Sequence, residues 1–116
     1  MTIAVDFDGT LFTNNFPEVG EPIWKNIEYV KQLQQNGHNL ILWTCRVGEA
    51  LAKAVSACKG VGLVFDTVNA NIPERIDFFQ TDPRKVGADV YLDDRALRPS
   101  ELELLLKHQE DIWENM

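Results

Sequence analysis

Aspartates lie at the end of two short apolar runs of this sequence. Asp6 and Asp8 end the first run, and Asp93 and Asp94 follow the last one. If these carboxylates meet, each close pair costs on the order of 4 kcal/mol at ~4 Å and an effective dielectric near 20. Such a cluster needs a cation, and an all-oxygen ligand set that leaves room for water and phosphate suits Mg²⁺ better than Ca²⁺.

Two further polar residues lie close to apolar runs of the same kind. Thr44 ends the second run, and Lys85 lies just before the last one. Lys85 adds positive charge, and a phosphate dianion is no longer repelled once cations neutralise the carboxylates. A carboxylate held in line with the phosphorus can then attack it. The charge balance therefore indicates phosphoryl transfer.

The apolar runs themselves are short and rich in β-branched residues, which is typical of buried parallel strands. Strands are predicted at residues 2–7, 40–43, 63–65 and 89–92, and an extension of the third as far as Val68 stays open. Residues 10–22 are predicted to form a polar, turn-rich loop rather than a strand or helix. The segment between the third and fourth strands is predicted to be irregular.

Helices are predicted between these strands because apolar residues recur there on one face. The first begins at Pro22 and ends at Gly37, the second ends at Gly60 and Gly62, and the last begins at a capping box of Ser100 and Glu103. Their apolar faces are Ile23, Ile27, Val30 and Leu33, then Leu51, Ala54, Val55 and Cys58, and finally Leu102, Leu105, Leu106, Ile112 and Trp113.

The alternation of strands and helices predicts an α/β fold with a three-layer α/β/α, Rossmann-like parallel sheet. Ligands of such sheets bind beyond the carboxyl ends of the strands, where the order of strand addition reverses. The polar residues at the ends of the predicted strands should therefore converge on one edge of the sheet.

Length and charge limit the possibilities further. The chain has 116 residues, which predicts a single domain over residues 1–116. No apolar run approaches the ~20 residues of a membrane-spanning helix, and no leader is evident, so a cytoplasmic location is expected. A net charge of −7 argues against a membrane or nucleic acid as a stable partner. Cys45 and Cys58 are interpreted as small apolar residues rather than a disulfide.

The run from Asp6 to Thr10 resembles the Asp-x-Asp-Gly-Thr signature of the haloacid dehalogenase superfamily, at the end of the first strand as that family requires. Thr44, Lys85 and the Asp93-Asp94 pair follow in the family's order, so that the resemblance spans nearly the whole chain. It implies a Mg²⁺-dependent phosphatase that acts on a phosphorylated substrate through an aspartyl phosphate.

The resemblance also implies a role for each motif residue. Asp6 would be the nucleophile, Asp8 the general acid/base, Thr44 and Lys85 the phosphate ligands, and Asp6, Asp93 and the Asp8 carbonyl the Mg²⁺ ligands, supported by Asp94. Residues two apart on a strand lie ~6–7 Å apart on one face, so Asp6 and Asp8 can bracket one phosphoryl group. Gly9 and Thr10 are expected to approach the phosphate through the backbone or the Thr10 hydroxyl. Arg46 is either a contact to the leaving group or a surface arginine at a helix start.

Many members of that family carry a cap domain over the site. The 33 residues from 11 to 43 are taken up by the loop, a helix and a strand, which leaves no room for a cap before Thr44. A capless, open site admits large substrates, is covered by a second subunit of a homo-oligomer, or selects poorly. The sequence does not choose among these.

Other side chains receive plainer interpretations. Trp24, Trp43 and Trp113 are expected in the core. Asn69 and Asn71 either serve turns or reach the rim of the site from the third strand. Arg95 is expected to form a salt bridge, and Phe12 and Phe16 are the candidates for apolar contact with a substrate.

Two functions compete with a phosphatase. A phosphoacceptor receiver domain is also small, acidic and α/β, but its motif order differs from that of this sequence. A catalytically idle Mg²⁺-binding module is the other alternative, because intact motifs do not guarantee turnover.

Overall fold

A parallel sheet of four strands forms the centre of the protein. The computed structural model describes residues 1–114 and the side chains of residues 1–108. The strands are β1 (Thr2–Val5), β2 (Phe12–Asn15), β3 (Glu18–Pro22), β4 (Asn39–Leu42), β5 (Thr67–Val68) and β6 (Val90–Leu92). The helices are α1 (Trp24–Gln35), α2 (Gly48–Gly60), α3 (Pro73–Phe79) and α4 (Pro99–Glu114). The predicted α/β class is confirmed.

The order of strands in the central sheet is β5-β4-β1-β6. Val5 of β1 lies opposite Leu42 of β4 on one side and Leu92 of β6 on the other. The chain therefore leaves β1 in one direction to β4 and β5 and then returns to the opposite side of β1. The reversal of strand addition falls between β1 and β6, which is where such sheets bind ligands.

One face of the sheet carries the larger part of the core. Ile3, Val5, Leu40 and Leu42 are buried there, and they belong to one apolar cluster with Ile27 and Val30 of α1 and Ala54 and Cys58 of α2. These helix residues are among those that the 3.6-residue period selects from the sequence. α1 and α2 therefore cover this face of β1 and β4.

The other face is covered more thinly. Ala4 and Ile41 alternate with the residues of the first face, and they pack against Ile72 and Val86. Trp43 is partly buried against the same cluster, as expected, whereas Trp24 is exposed at 52%. The prediction of a core position is wrong for Trp24, which stands at the first residue of α1 outside its buried face. The side chain of Trp113 lies outside the described side chains.

The predicted loop at residues 10–22 is instead a β-hairpin. β2 and β3 pair antiparallel, and Asn15 lies opposite Glu18 across the turn. The sequence hides these strands because β2 and β3 expose most of their residues and show no apolar alternation. Phe12 is the exception, since it is buried and its ring stacks on Phe7 at 5.0 Å between centroids. Phe12 is therefore a core residue and not a substrate contact.

The prediction of a strand at residues 63–65 is wrong as well. The Leu63 amide donates to the Cys58 carbonyl at 2.9 Å, so this segment closes the end of α2. Pairing with β4 begins only at Asp66, whose amide donates to the Leu40 carbonyl. Helix α3 lies in the segment that was predicted to be irregular, with Pro73 as its first residue. Pro at the first helical position is the signal that could have revealed it.

Helix α4 begins one residue before the predicted capping box. Its start lies at Pro99, and the Arg98 amide donates to a carboxylate oxygen of Glu101, which is the cap that the structure uses. The predicted apolar face is exposed at Leu102, Leu105 and Leu106. The side chains of Ile112 and Trp113 lie outside the described side chains. Within residues 1–114, no helix combines the length and the apolar character that crossing a membrane requires.

Candidate active site

Three carboxylates meet at the reversal point of the sheet. Asp6 follows β1, and Asp93 and Asp94 follow β6. One carboxylate oxygen of each lies within 4.8 Å of the others. The Asp6 amide donates to the Leu92 carbonyl at 2.9 Å, which continues the pairing of β1 with β6 by one residue. The convergence of the two strand ends therefore follows from the sheet itself.

Asp6 lies in the most perturbed environment of the three. Burial raises its pKa from 3.8 to about 6, and the negative charge of Asp93 and a hydrogen bond with Asp94 act in the same direction. A hydrogen bond from the Phe7 amide opposes them by stabilising the ionised form. The Thr10 hydroxyl also donates to Oδ2 of Asp6 at 3.3 Å. A shifted pKa with named charge partners in a cleft is a common property of functional carboxylates.

The neighbours of the acidic pair hold it against Asp6. The Arg95 amide donates to Oδ1 of Asp93 at 2.8 Å. Gly9 has a φ of +82°, and a Cβ at this position would overlap Oδ2 of Asp94. Gly9 is therefore required twice, for its left-handed backbone and for the close approach of Asp94. Its amide donates to the Phe12 carbonyl at 2.7 Å, which differs from the phosphate contact predicted for it.

The three carboxylates fit a hard divalent cation. They supply only oxygen ligands, and they come from two strand ends that the sheet holds together. In the metal-free protein the pKa of Asp6 is raised to about 6, and a bound cation would favour its ionised form. Mg²⁺ prefers such oxygen ligands and keeps several waters, so two or three carboxylates are sufficient. The Asp8 carboxylate, by contrast, takes no part in the cluster.

A cavity of about 260 Å³ opens over these residues. It is lined by Asp6, Asp8, Asn14, Thr44, Cys45, Asp93, Asp94 and Arg95. A second cavity of about 310 Å³ lies between α1 and β6, and it shares only the acidic pair with the first. Asp6 and Asp8 line the first cavity and not the second. The first cavity is therefore the candidate active site.

Thr44 lies in this cavity at the end of β4, as predicted. Its amide donates to Oδ1 of Asn69 at 2.8 Å, and its hydroxyl oxygen accepts the Arg46 amide at 3.1 Å. The hydroxyl hydrogen of Thr44 is therefore not used by these two contacts and can donate toward a ligand. Asn69 has a φ of +52°, a conformation that Asn tolerates better than most residues. The sequence interpretation of Asn69 as a turn residue is incomplete, since its side chain also positions Thr44.

Asp8 is paired with a buried arginine. Nε of Arg46 donates to Oδ2 of Asp8 and Nη2 donates to Oδ1, both at 2.8 Å. Arg46 is only 2% exposed, and its hydrogen bond to Asp8 is the main cause that raises the pKa of Arg46. A bidentate pair of this kind fixes the plane of the carboxylate as well as its position.

The other donors of Arg46 bind backbone carbonyls. Nη1 donates to Pro17 and Ala50 at 2.9 and 3.2 Å, and Nη2 donates to Glu18 at 2.7 Å. A guanidinium has five N–H groups, and here all five have protein acceptors. The structure therefore gives Arg46 a different set of contacts from the leaving-group contact considered for it.

Lys85 and Arg95 lie in positions different from those predicted, which were a phosphate ligand for Lys85 and a salt-bridge partner for Arg95. Nζ of Lys85 lies 5.5 Å from the centre of the Tyr91 ring, and Lys85 does not line the cavity that holds Asp6. Arg95 lines that cavity, and among the described side chains it forms no ion pair. Of these two cations, only Arg95 therefore brings positive charge to the candidate site.

Two further asparagines have positions that the sequence analysis did not give. Asn14 lines the cavity from β2, and only the hairpin brings it there. Asn71 is buried: its side-chain amide donates to Asp82 and Pro83, and its Oδ1 accepts the Gly87 amide. Asn71 holds the segment before β6 in place, and an isolated asparagine gives no sequence signal for this.

Neither a family model nor a curated protein matches the chain. A solved structure of a conserved protein from Bacteroides thetaiotaomicron is 41% identical in sequence, with a TM-score of 0.74. The match covers 96% of this chain and 91% of that one. The chain belongs to the same family as this conserved protein.

Proposed function

We propose that the protein is a Mg²⁺-dependent phosphohydrolase that cleaves phosphate monoesters through an aspartyl phosphate on Asp6. The observation that carries this proposal is the convergence of Asp6, Asp93 and Asp94 within 4.8 Å at the reversal point of a parallel sheet. The order of the motifs, which resembles that of the haloacid dehalogenase superfamily, supports the same assignment. The proposed architecture is the capless, three-layer form of that fold.

Asp6 is the proposed nucleophile. One of its carboxylate oxygens attacks the phosphorus, the bond between phosphorus and the leaving oxygen breaks, and the electron pair of that bond goes to the leaving group. Bound Mg²⁺ supplies positive charge that offsets the phosphate oxygens and the acidic cluster. The Phe7 amide and the Thr10 hydroxyl, which both donate to Asp6, favour its ionised and attacking form.

Thr44 and Asp8 take the next roles in the proposal. The Thr44 amide donates to Asn69, and the hydroxyl oxygen of Thr44 accepts the Arg46 amide. The hydroxyl hydrogen can therefore donate to a phosphate oxygen. Asp8 lines the same cavity and is the general acid/base residue, which protonates the leaving oxygen and later takes a proton from the water that attacks the aspartyl phosphate.

A second candidate function is a module that binds Mg²⁺ or accepts a phosphoryl group without steady turnover. The position of Lys85 favours it, since this lysine lies over Tyr91 and outside the cavity. Without a lysine at the phosphate, charge stabilisation of the transition state would depend on the metal and Arg95. Steady release of phosphate distinguishes the two functions.

The test is phosphate release from p-nitrophenyl phosphate with Mg²⁺ and with EDTA. Wild-type protein is expected to turn over only with Mg²⁺, and Asp6→Asn is expected to lose all turnover because an amide is not a nucleophile of this kind. Asp77→Asn is the matched control, since Asp77 is exposed on α3. Turnover by Asp6→Asn would refute the assigned nucleophile, and a phosphorylated wild-type protein without turnover would favour the second candidate.

A further inference from the structure

Arg46 is the most completely buried and bonded charged residue among the described side chains that surround the candidate site. Its guanidinium lies over two aromatic rings, 5.0 Å from the centre of the Phe7 ring and 5.3 Å from that of Phe16. Its edge carries five hydrogen bonds, two of them to Asp8. Such a group has no freedom to follow a substrate, and its function must lie in what it holds.

The residues that Arg46 joins come from separate parts of the chain. Asp8 follows β1, Pro17 and Glu18 form the end of the hairpin, and Ala50 lies in the first turn of α2. The Arg46 amide also donates to the Thr44 hydroxyl oxygen. One side chain therefore connects a proposed catalytic carboxylate, the hairpin beside the cavity and the loop that presents Thr44.

The two bonds to Asp8 are the specific part of this arrangement. A single donor would let the carboxylate rotate about its own axis, whereas two parallel donors fix both oxygens. Effective proton transfer requires the acceptor within hydrogen-bond reach of the attacking water. A displacement of about 1 Å can cost about 100-fold in rate, so the fixed plane of Asp8 matters for the step in which water attacks.

We propose that Arg46 is a positioning residue that holds Asp8 and the β2-β3 hairpin as one unit, so that the aspartyl phosphate on Asp6 is cleared efficiently. This inference rests on the proposed phosphohydrolase function. In the step concerned, the water oxygen bonds to phosphorus and a water proton passes to Asp8. The bond between phosphorus and the Asp6 oxygen breaks, and its electron pair returns to the Asp6 carboxylate. Arg46 touches neither the phosphate nor the water.

The test uses p-nitrophenyl phosphate, because nitrophenol reports formation of the aspartyl phosphate and inorganic phosphate reports its breakdown. Arg46→Lys keeps the charge but cannot bind both oxygens of Asp8 at once. We expect its steady-state kcat to fall about 10- to 100-fold while a burst of nitrophenol close to one per protein molecule appears. KM should fall in parallel with kcat, so that kcat/KM changes little, and acid-quenched protein should carry phosphate on Asp6.

The matched control is Lys53→Met. Lys53 also connects α2 with the hairpin, since its Nζ donates to Oε1 of Glu18 at 2.9 Å, but it forms no hydrogen bond with Asp8. It should retain the wild-type burst and the wild-type kcat. If Arg46→Lys does not fold, Phe16→Ala serves instead, because Phe16 is exposed at 63% and its ring centre lies 5.3 Å from the guanidinium carbon. It should raise the burst relative to steady turnover in the same direction, by a smaller factor.

The outcomes separate this inference from the proposed function. Absence of any nitrophenol release by wild-type protein refutes the phosphohydrolase, and this inference with it. A wild-type enzyme that turns over, together with a variant whose burst and steady rate fall in proportion, refutes the positioning role of Arg46 alone. If Lys53→Met shows a burst larger than that of wild-type protein together with a lower kcat, the effect belongs to the hairpin, and the positioning role of Arg46 is likewise refuted.

Discussion

Gly9 and Asp94 are packed directly against each other at the candidate site, with no room for a Cβ on Gly9. The turn after β1 and the turn after β6 therefore depend on each other for their positions. The backbone of one turn forms the support for the carboxylate of the other. The acidic cluster is therefore assembled by packing between the two strand ends as well as by the sheet.

Gly9→Ala is predicted to damage both the fold and the metal site. The new Cβ would clash with Asp94, and a φ of +82° is unfavourable for alanine by about 1–3 kcal/mol. We expect the free energy of unfolding to fall by at least that amount and the Mg²⁺-induced rise in melting temperature to shrink. Gly60→Ala is the control, because a Cβ at Gly60 meets nothing within 4 Å. Equal behaviour of the two variants would contradict the packing argument.

The raised pKa of Asp6 predicts how the stability of the metal-free protein depends on pH. The unfolded chain loses the Asp6 proton near pH 4, whereas the folded protein keeps it until about pH 6. The folded state therefore binds more protons between these values, and the contribution of Asp6 to stability falls as the pH rises through this window. Above about pH 6 it is level. Asp6→Asn should remove this fall.

Melting temperatures in EDTA at several pH values between 4.5 and 7.5 check this prediction. Relative to wild-type protein, Asp6→Asn should gain stability as the pH rises from 4.5 to about 6.5. The Asp77→Asn curve should run parallel to that of wild-type protein, since Asp77 is exposed on α3. A parallel curve for Asp6→Asn would show that Asp6 carries no unusual proton.

Asp8→Ala is predicted to be strongly destabilising. It leaves the buried guanidinium of Arg46 without its counter-charge, and the loss of one partner of a buried pair typically costs about 3–5 kcal/mol. Asp93→Ala is the informative comparison, because removing a carboxylate beside Asp6 relieves repulsion in the metal-free protein. Urea denaturation in EDTA should therefore separate the two variants widely. A small cost for Asp8→Ala would mean that water replaces the lost carboxylate.

Asn71→Ala is predicted to loosen the segment before β6. The side chain of Asn71 bonds Asp82 and Pro83 and accepts the Gly87 amide, so its removal leaves buried polar groups unpaired at about 1–3 kcal/mol. We expect lower stability and faster hydrogen exchange at the Gly87 amide. Gln35→Ala on the surface of α1 serves as the control. Unchanged exchange at Gly87 would contradict this role.

Much of the central sheet could be predicted because its signals are local. β1, β4 and β6 are short apolar runs, and Ile27 and Val30 follow the helical period on α1. The hairpin could not be predicted in the same way, since its strands gain little from burial and are held by pairing and by Arg46. The third strand was predicted too early, and β5 lies in the extension to Val68 that stayed open, because the buried Leu63 belongs to the end of α2 rather than to a strand.

Within the site, sequence order alone indicated that Asp6, Asp93 and Asp94 would meet, because the carboxyl ends of neighbouring parallel strands share one edge. Sequence could not assign partners to long, flexible cations. Lys85 and Arg95 can each reach many positions from their backbones, and only packing decides which of them faces the cavity.

The sequence by itself determined the acidic strand ends and hence the chemistry that they favour, since residue type and strand position are local properties. The tertiary structure alone decided that Arg46 is buried beside the hairpin and donates hydrogen bonds to both oxygens of Asp8. The physical reason is that a guanidinium enters a protein interior only where its donors find acceptors, and here those acceptors come from three segments, at Asp8, at Pro17 and Glu18, and at Ala50, that only the folded chain brings together.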